Sequence, residues 1–332
     1  MDFLRVVCYN ADNIERERGA FGVKLWKRIV LGITGIILAS LLAFGASFVW
    51  YYPHYRASKA PVDIAVQTAP SEIQVMSCNL RCINPLDFGK KSWFYRADLL
   101  VDGVAEAAPG IVGFQEATKW QYNYLCDVLT GYGSVIEYRD NAVNSEGCPI
   151  FYRTDLYDRI DSGSFWLSET PEQMSKSWDA AFCRICSYVI LEERATGAQF
   201  AVFNTHLDHE SEEARINGIG VVLDKIEEFG GIPSVLMGDL NAEEDSETYQ
   251  SATESFFDVK YQTEDTMQGA TYQNWGTELD RDCIDYILIS KTGFAVESCR
   301  VLNETRDGVY TSDHFPICAL LRLTETETEV YA

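Results

Sequence analysis

The chain has 332 residues, 47% of them hydrophobic, and a formal net charge of -23. That length and apolar content support one large core or two modest ones and exclude a disordered, collagen-like or coiled-coil chain. The acidity lies from Ser71 onward, where 19 Lys+Arg face 45 Asp+Glu, so this region is repelled by nucleic acid and anionic lipid unless a bound cation reverses the local field.

In chain order, residues 1–28 carry Arg5, Arg16, Arg18, Lys24, Lys27 and Arg28, and residues 29–55 carry no Asp, Glu, Lys or Arg. Ile29 to Tyr52 is an almost continuous apolar run closed by Trp50, Tyr51 and Tyr52. At about 1.5 Å per residue it crosses a bilayer core of about 30 Å. Only Arg56 and Lys59 follow closely. The positive-inside rule therefore predicts a single-pass cell-membrane protein, with residues 1–28 cytoplasmic, 29–52 transmembrane and the large domain outside. A cleaved signal peptide would have a shorter apolar region and a clear small-x-small site. Ala43-Phe44-Gly45 is a poor one, so an uncleaved anchor is expected. Pro53, Pro61 and Pro70, without amphipathic period, predict a linker over 53–70.

Residues 71–323 alternate short β-type runs with amphipathic helices and show no internal repeat. Strands are predicted at 73–78, 110–114, 150–152, 187–191, 200–204, 234–237, 283–289 and 317–321. Helices are predicted at 92–107 and 210–229. In the second, Ala214, Ile216, Ile219, Val222, Leu223 and Ile226 form a 3.6-period stripe behind the capping residue Ser211. Residues 324–332 read as a flexible polar tail. The mixture argues for a single α/β sandwich. Of ten cysteines, Cys8 precedes the apolar run and nine follow it. Cys183 and Cys186 have CxxC spacing without a second pair, which points to buried strand residues or one disulfide before a zinc site.

Short polar clusters fall at the ends of the β-type runs: Asn79, Gln115-Glu116, Asn204-Thr205-His206-Leu207-Asp208-His209, Gly238-Asp239-Leu240-Asn241, Ile284-Asp285 and Ser312-Asp313-His314. One Asp after a strand is usually a cap or turn residue. Here, however, three of the four histidines lie in these clusters, His54 being the exception. Phosphoester hydrolysis needs these residue types. Glu116 and Asn79 offer oxygens for a hard cation. Asp239 suits a base for water, with Asn241 orienting it or the phosphate. His314 and His206 suit imidazolium stabilisers, and Asp285 suits the carboxylate that keeps His314 charged. Thr271 and the rings of Trp93, Phe94, Trp120, Trp166 and Trp178 read as turn and packing residues before ligand contacts.

The order N…QE…NTHLDH…GDLNA…IDYI…SDHFP resembles the endonuclease/exonuclease/phosphatase superfamily, of DNase I-like fold, across residues 71–323. The stretch Ser164–Arg184 together with NTHLDH looks like an exported or membrane-tethered bacterial branch. The resemblance implies a four-layered α/β sandwich with two central sheets. It implies Mg²⁺ or Mn²⁺ at Glu116, with Asn79 and Asp313. It implies Asp239 and Asn241 at the nucleophilic water and phosphate, His314 paired with Asp285, His206 as a second catalytic imidazole, and Arg184 on the phosphate. Asp208 and His209 belong to the branch, with their role open.

The function expected is a membrane-tethered, metal-dependent phosphoester hydrolase acting as a monomer, with a phosphodiester ranked first. A nuclease follows, disfavoured by the charge, with a phospholipid or inositol-phosphate phosphatase close behind. The competing reading, a non-catalytic binding module on the same fold, sits poorly with Glu116, Asp239 and His314 all being present.

Overall fold

Apolar side chains repeating at period two make strands with two buried faces, and this chain uses both. In a computed structural model, residues 2–65, 68–266, 269–280 and 282–324 are described, with side chains from Trp26 onward. The expected tail beyond Thr324 lies outside them. The elements in order are α1 (Asp2–Ala57), β1 (Glu72–Asn79), α2 (Trp93–Ala107), β2 (Ile111–Gln115), β3 (Ala117–Thr118), α3 (Lys119–Val128), β4 (Tyr132–Val135), β5 (Glu146–Gly147), β6 (Ile150–Arg153) and β7 (Tyr157–Trp166). Then follow β8 (Ile185–Glu193), β9 (Gln199–His206), α4 (Glu212–Glu227), β10 (Ser234–Asp239), α5 (Glu247–Ser255), β11 (Phe256–Asp258), β12 (Asp285–Ser290), β13 (Phe294–Val301) and β14 (Ile317–Leu323).

Two six-stranded sheets form, in the orders β13-β14-β1-β2-β6-β4 and β11-β12-β10-β9-β8-β7. Ile73 and Val75 of β1 and Val235 and Met237 of β10 point between the sheets, into the central core. The intervening Met76 and Cys78 face α2 and α3, where Leu100, Val104 and Leu125 cover them. Leu236 faces the opposite way, against the helix side that holds Ile219, Val222 and Ala252. The result is the expected four-layered α/β sandwich. Beneath the site, Gln115 donates to Asn204 at 2.7 Å, and Asn204 donates to the Phe114 and Pro149 carbonyls. All of these groups are buried, so this amide pair satisfies polar atoms where the two sheets meet.

Several expectations shift. The segment 53–70 is only partly a linker. Helix α1 continues through Pro53 to Ala57, and Tyr55 and Ile64 are buried. Proline in a helix forfeits a hydrogen bond. Stacking of Tyr55 on Tyr124 at 4.8 Å, with edge contact to Phe94, offsets that loss. Lys59 pairs with Asp127 at 2.9 Å, and the Val62 N–H donates to the Val128 carbonyl. Strands β7 and β13, and helices α3 and α5, were not foreseen. All nine cysteines from Cys78 to Cys318 are free thiols, so Cys183 and Cys186 form no disulfide, and among the described residues neither joins a cluster of ligand-type side chains. Cys186 is the buried strand residue expected of it.

Candidate active site

Strand register brings the polar clusters together. Across the second sheet, Asp239 lies opposite His206 on one side and Asp285 on the other. Across the first, Asn79 lies opposite Gln115, one residue before Glu116. Four clusters sit at C-terminal strand ends, as expected: Asn79 on β1, Gln115-Glu116 on β2, His206 on β9 and Asp239 on β10. Asp285 instead opens β12, and Asp313 and His314 precede β14. Both strands run antiparallel to their neighbours β10 and β1, so their starts reach the same edge. Gly238, at φ 144°, sits where a Cβ would come within 2.0 Å of the Thr205 carbonyl oxygen. Only glycine permits that approach, which sets Asp239 beside His206.

A cleft of about 630 Å³ is lined by Arg81, Glu116, Arg184, His206, Asp239, Asn241, Asp313 and His314, whereas Asn79 and Asp285 are buried and off its lining. His314 Nδ1 lies 2.8 Å from Asp285, and its Nε2 lies 3.8 Å from Asp239. Burial alone would push the imidazole down. Asp285 and Asp239 outweigh it and raise it to about 10, so His314 is charged at neutral pH. Asp239 is pushed up to about 7 by burial and Asp285, against His314 and the Asn241 N–H. That N–H donates to Asp239 Oδ1 at 2.9 Å, and the Asn241 amide nitrogen donates to the Leu207 carbonyl. Asp239, Asp285 and His314 have ligand-type atoms within 4.8 Å of one another. The three are close enough to share a proton, and the same atoms are spaced to hold a metal ion.

His206 differs from its expected role as an imidazolium. Burial, Arg184 and Arg139 hold it well below the usual histidine value, so it is neutral, 3.6 Å from Asp239. Asn79 also differs. Its amide nitrogen donates to Glu116 and to Asp239, at 3.2 and 2.9 Å, while its oxygen accepts the Arg81 N–H. It thus bridges the two carboxylates, with its oxygen on the Arg81 backbone.

The donor chemistry suits a hard cation. Burial and Glu116 push the Asp313 carboxyl up, so the two acids repel each other across the cleft. For Glu116 itself, burial is overcome by the Cys82 N–H, Arg81 and His314, which hold it ionised. The Arg81 guanidinium lies 3.5 Å from Asp313, a positive charge drawn to this acidic corner. The two carboxylates offer oxygen ligands, which hard divalent cations take.

Arg184 is buried on the cleft wall, and the residues left open by sequence hold it. Its Nε lies 3.3 Å from Asp208, and its Nη2 donates to His209 Nδ1 at 2.9 Å. Asp208 also accepts the Ala181, Glu210 and Ser211 N–H groups. Against burial, these N–H bonds and Arg184 bring it down to about 2. Phe182 stacks on the His209 ring. Asp208→Ala is expected to cost about 3–5 kcal/mol by stranding a buried guanidinium. Urea unfolding checks this, and Asp208→Asn should recover part of the loss.

Other contributors carried no sequence signal. Arg96, fully buried on α2, donates to the carbonyls of Leu80, Arg81 and Thr311 and so ties two loops of the site together. Arg139 and Glu146 form an ion pair in the cleft wall. Burial and Glu116 push Glu146 up to about 7. Thr271 accepts the Ile284 and Asp285 N–H groups, so it is the turn residue expected. None of Trp93, Phe94, Trp120, Trp166 and Trp178 lines the cleft, whereas Phe182 and Tyr272 do.

Two packed sheets with a carboxylate–imidazole site across their shared edge define a phosphoester-hydrolase scaffold. The chain belongs to the endonuclease/exonuclease/phosphatase family, whose sequence model matches residues 76–314. A family protein of Bacteroides thetaiotaomicron is 32% identical, with a TM-score of 0.72, covering 78% of this chain and 100% of that one. A mannosyl-6-phosphatase of the same organism is 31% identical, with a TM-score of 0.69 over 75% and 99%. An uncharacterised protein of Acanthamoeba polyphaga mimivirus is 29% identical over 131 residues, 37% of this chain and 49% of that protein. The chain thus spans about half the length of that curated relative.

Proposed function

We propose that this chain is a membrane-tethered, divalent-metal-dependent phosphoesterase acting on small, hydroxyl-rich phosphomonoesters. The observation carrying it is the meeting of Glu116, Asp239 and His314, distant in sequence, in one cleft. A cation held by Glu116 and Asp313 would offset charge on the phosphate oxygens. Asp239 takes the proton of the attacking water, with its carboxylate aligned by the Asn241 and Asn79 N–H groups. Charged His314 stabilises the phosphate oxygens as charge builds, and Asp285 holds its proton at Nδ1. Neutral His206 orients the water or phosphate. Arg184, aimed by Asp208 and His209, binds the phosphate.

A monoester replaces the diester expected from sequence for two reasons. Arg81, Arg139, Arg184, Arg215 and His314 line the cleft, and such a cluster of positive side chains suits a phosphate dianion. The mannosyl-6-phosphatase likeness also supports a sugar alcohol as leaving group. Glu243 and Asp245 on the cleft lining disfavour a nucleic-acid backbone. The tether rests on the apolar helix Trp26–Ala57, long enough to cross a bilayer, with a mean hydropathy of 2.4 in its apolar window.

Turnover of mannose 6-phosphate and p-nitrophenyl phosphate should require Mg²⁺ or Mn²⁺, vanish with chelator and return on re-addition. Bis-p-nitrophenyl phosphate and plasmid DNA should be poorer substrates. Faster cleavage of DNA would overturn the substrate assignment, and folded protein inert on every phosphoester would overturn the enzyme assignment.

A further inference from the structure

The end of α1 does not stand off from the catalytic domain. Phe48 meets Phe94 edge-on at 5.0 Å and Trp120 at 6.3 Å, and Phe44 meets Phe94 at 6.1 Å. One turn further on, Tyr51 meets Tyr95 at 5.0 Å, and His54 then lies 2.6 Å from Asp98. Phe44 and Phe48 meet Phe94, at the start of α2, and His54 meets Asp98 further along it, so the N-terminus of α2 is the membrane-near end, with Phe94 also reaching Tyr55.

Depth follows from length. About 20 helical residues cross the roughly 30 Å hydrocarbon layer, so a span entering at Ile29 leaves near residue 48. Phe44 and Phe48 therefore lie in the outermost turns of the span, and the domain residues touching them lie at the same height. Trp120 is 52% exposed there, next to exposed Lys119. The loop entering the N-terminus of α2 carries exposed Leu86 and Phe88, at 61% and 43%, followed by exposed Lys90 and Lys91. Exposed apolar rings flanked by lysines, in a domain otherwise rich in acid, are what a headgroup region accepts.

We propose that the catalytic domain lies against the lipid surface through Leu86, Phe88 and Trp120, with Lys90, Lys91 and Lys119 among the headgroups. This rests on the reading of α1 as a membrane span. It also places the cleft beside the bilayer: Asp87, between the two apolar residues, pairs at 3.2 Å with Arg81 of the cleft wall. The site is then open to phosphoesters displayed at the membrane surface, and not held away on a loose stalk.

The test uses the full chain in phosphatidylcholine nanodiscs, with a coumarin amino acid placed singly at residue 38, 88, 120 or 160. Lipids carry a nitroxide on the headgroup or at mid-chain. The headgroup nitroxide should quench positions 88 and 120, the mid-chain nitroxide should quench 38, and neither should quench 160, on the edge strand of the far sheet. Quenching at 38 without loss at 88 and 120 overturns the docked surface and leaves the span intact. No quenching at 38 removes the span, and the docking with it.

Discussion

Asp239→Asn is expected to lower kcat by a factor of roughly 10²–10⁴ while the melting temperature does not fall. The base must be ionised to act, and burial with Asp285 lifts this carboxyl to about 7. kcat/KM of the native protein should therefore climb as pH rises through that value. The same shift sets the sign on stability. A carboxyl whose folded value exceeds its ordinary 3.8 favours the fold while protonated and loses that contribution as pH rises through about 7. Asparagine never ionises and escapes that loss, so the variant should compare best with the native protein near pH 8. Calorimetry beside single-turnover kinetics checks both halves. A folded Asp239→Asn protein with near-native turnover would remove Asp239 as the base.

Asp285→Asn should be the more damaging change to the fold. It leaves a buried imidazolium without its partner, at an expected cost of about 3–5 kcal/mol. His314 is raised from 6.5 to about 10 in the folded protein. Its pairing therefore stabilises fully below pH 6.5, and that stability is lost as pH climbs toward about 10. Removing Asp285 lowers His314 and Asp239 together, since Asp285 raises both. Both limbs of the kcat/KM profile should move to lower pH. An alkaline limb that stays put would show that His314 does not set it.

Much of the site was legible because β1, β2, β9 and β10 are buried on both faces and end abruptly in polar residues. A buried apolar run followed by Asn79, Glu116, His206 or Asp239 stands out against its own strand. Strands β7 and β13 escaped notice because they are sheet edges, with exposed or half-exposed residues along most of their length. Helices α3 and α5 are short, and their sequences, KWQYNYLCDV and ETYQSATES, carry few aliphatic side chains to mark the buried face. Arg81 was invisible for another reason: it turns into the cleft from a left-handed backbone, at φ 54°, which no side-chain pattern announces. Glu146 reaches Glu116 only through the small β3–β5 pairing, a contact between segments some thirty residues apart. The lowering of His206 comes from burial, Arg184 and Arg139, and therefore from tertiary packing alone.

The division of the site between two sheets constrains how the enzyme comes into being. One half-sandwich brings Asn79 and Glu116; the other brings His206, Asp239 and Asp285. Neither half holds both the proposed cation ligands and the proposed base, and the Gln115–Asn204 amide contact forms only when the halves close on each other. During refolding, catalysis should thus lag behind the return of helix and strand signal, and a nascent chain stays inert until its last strand is in place.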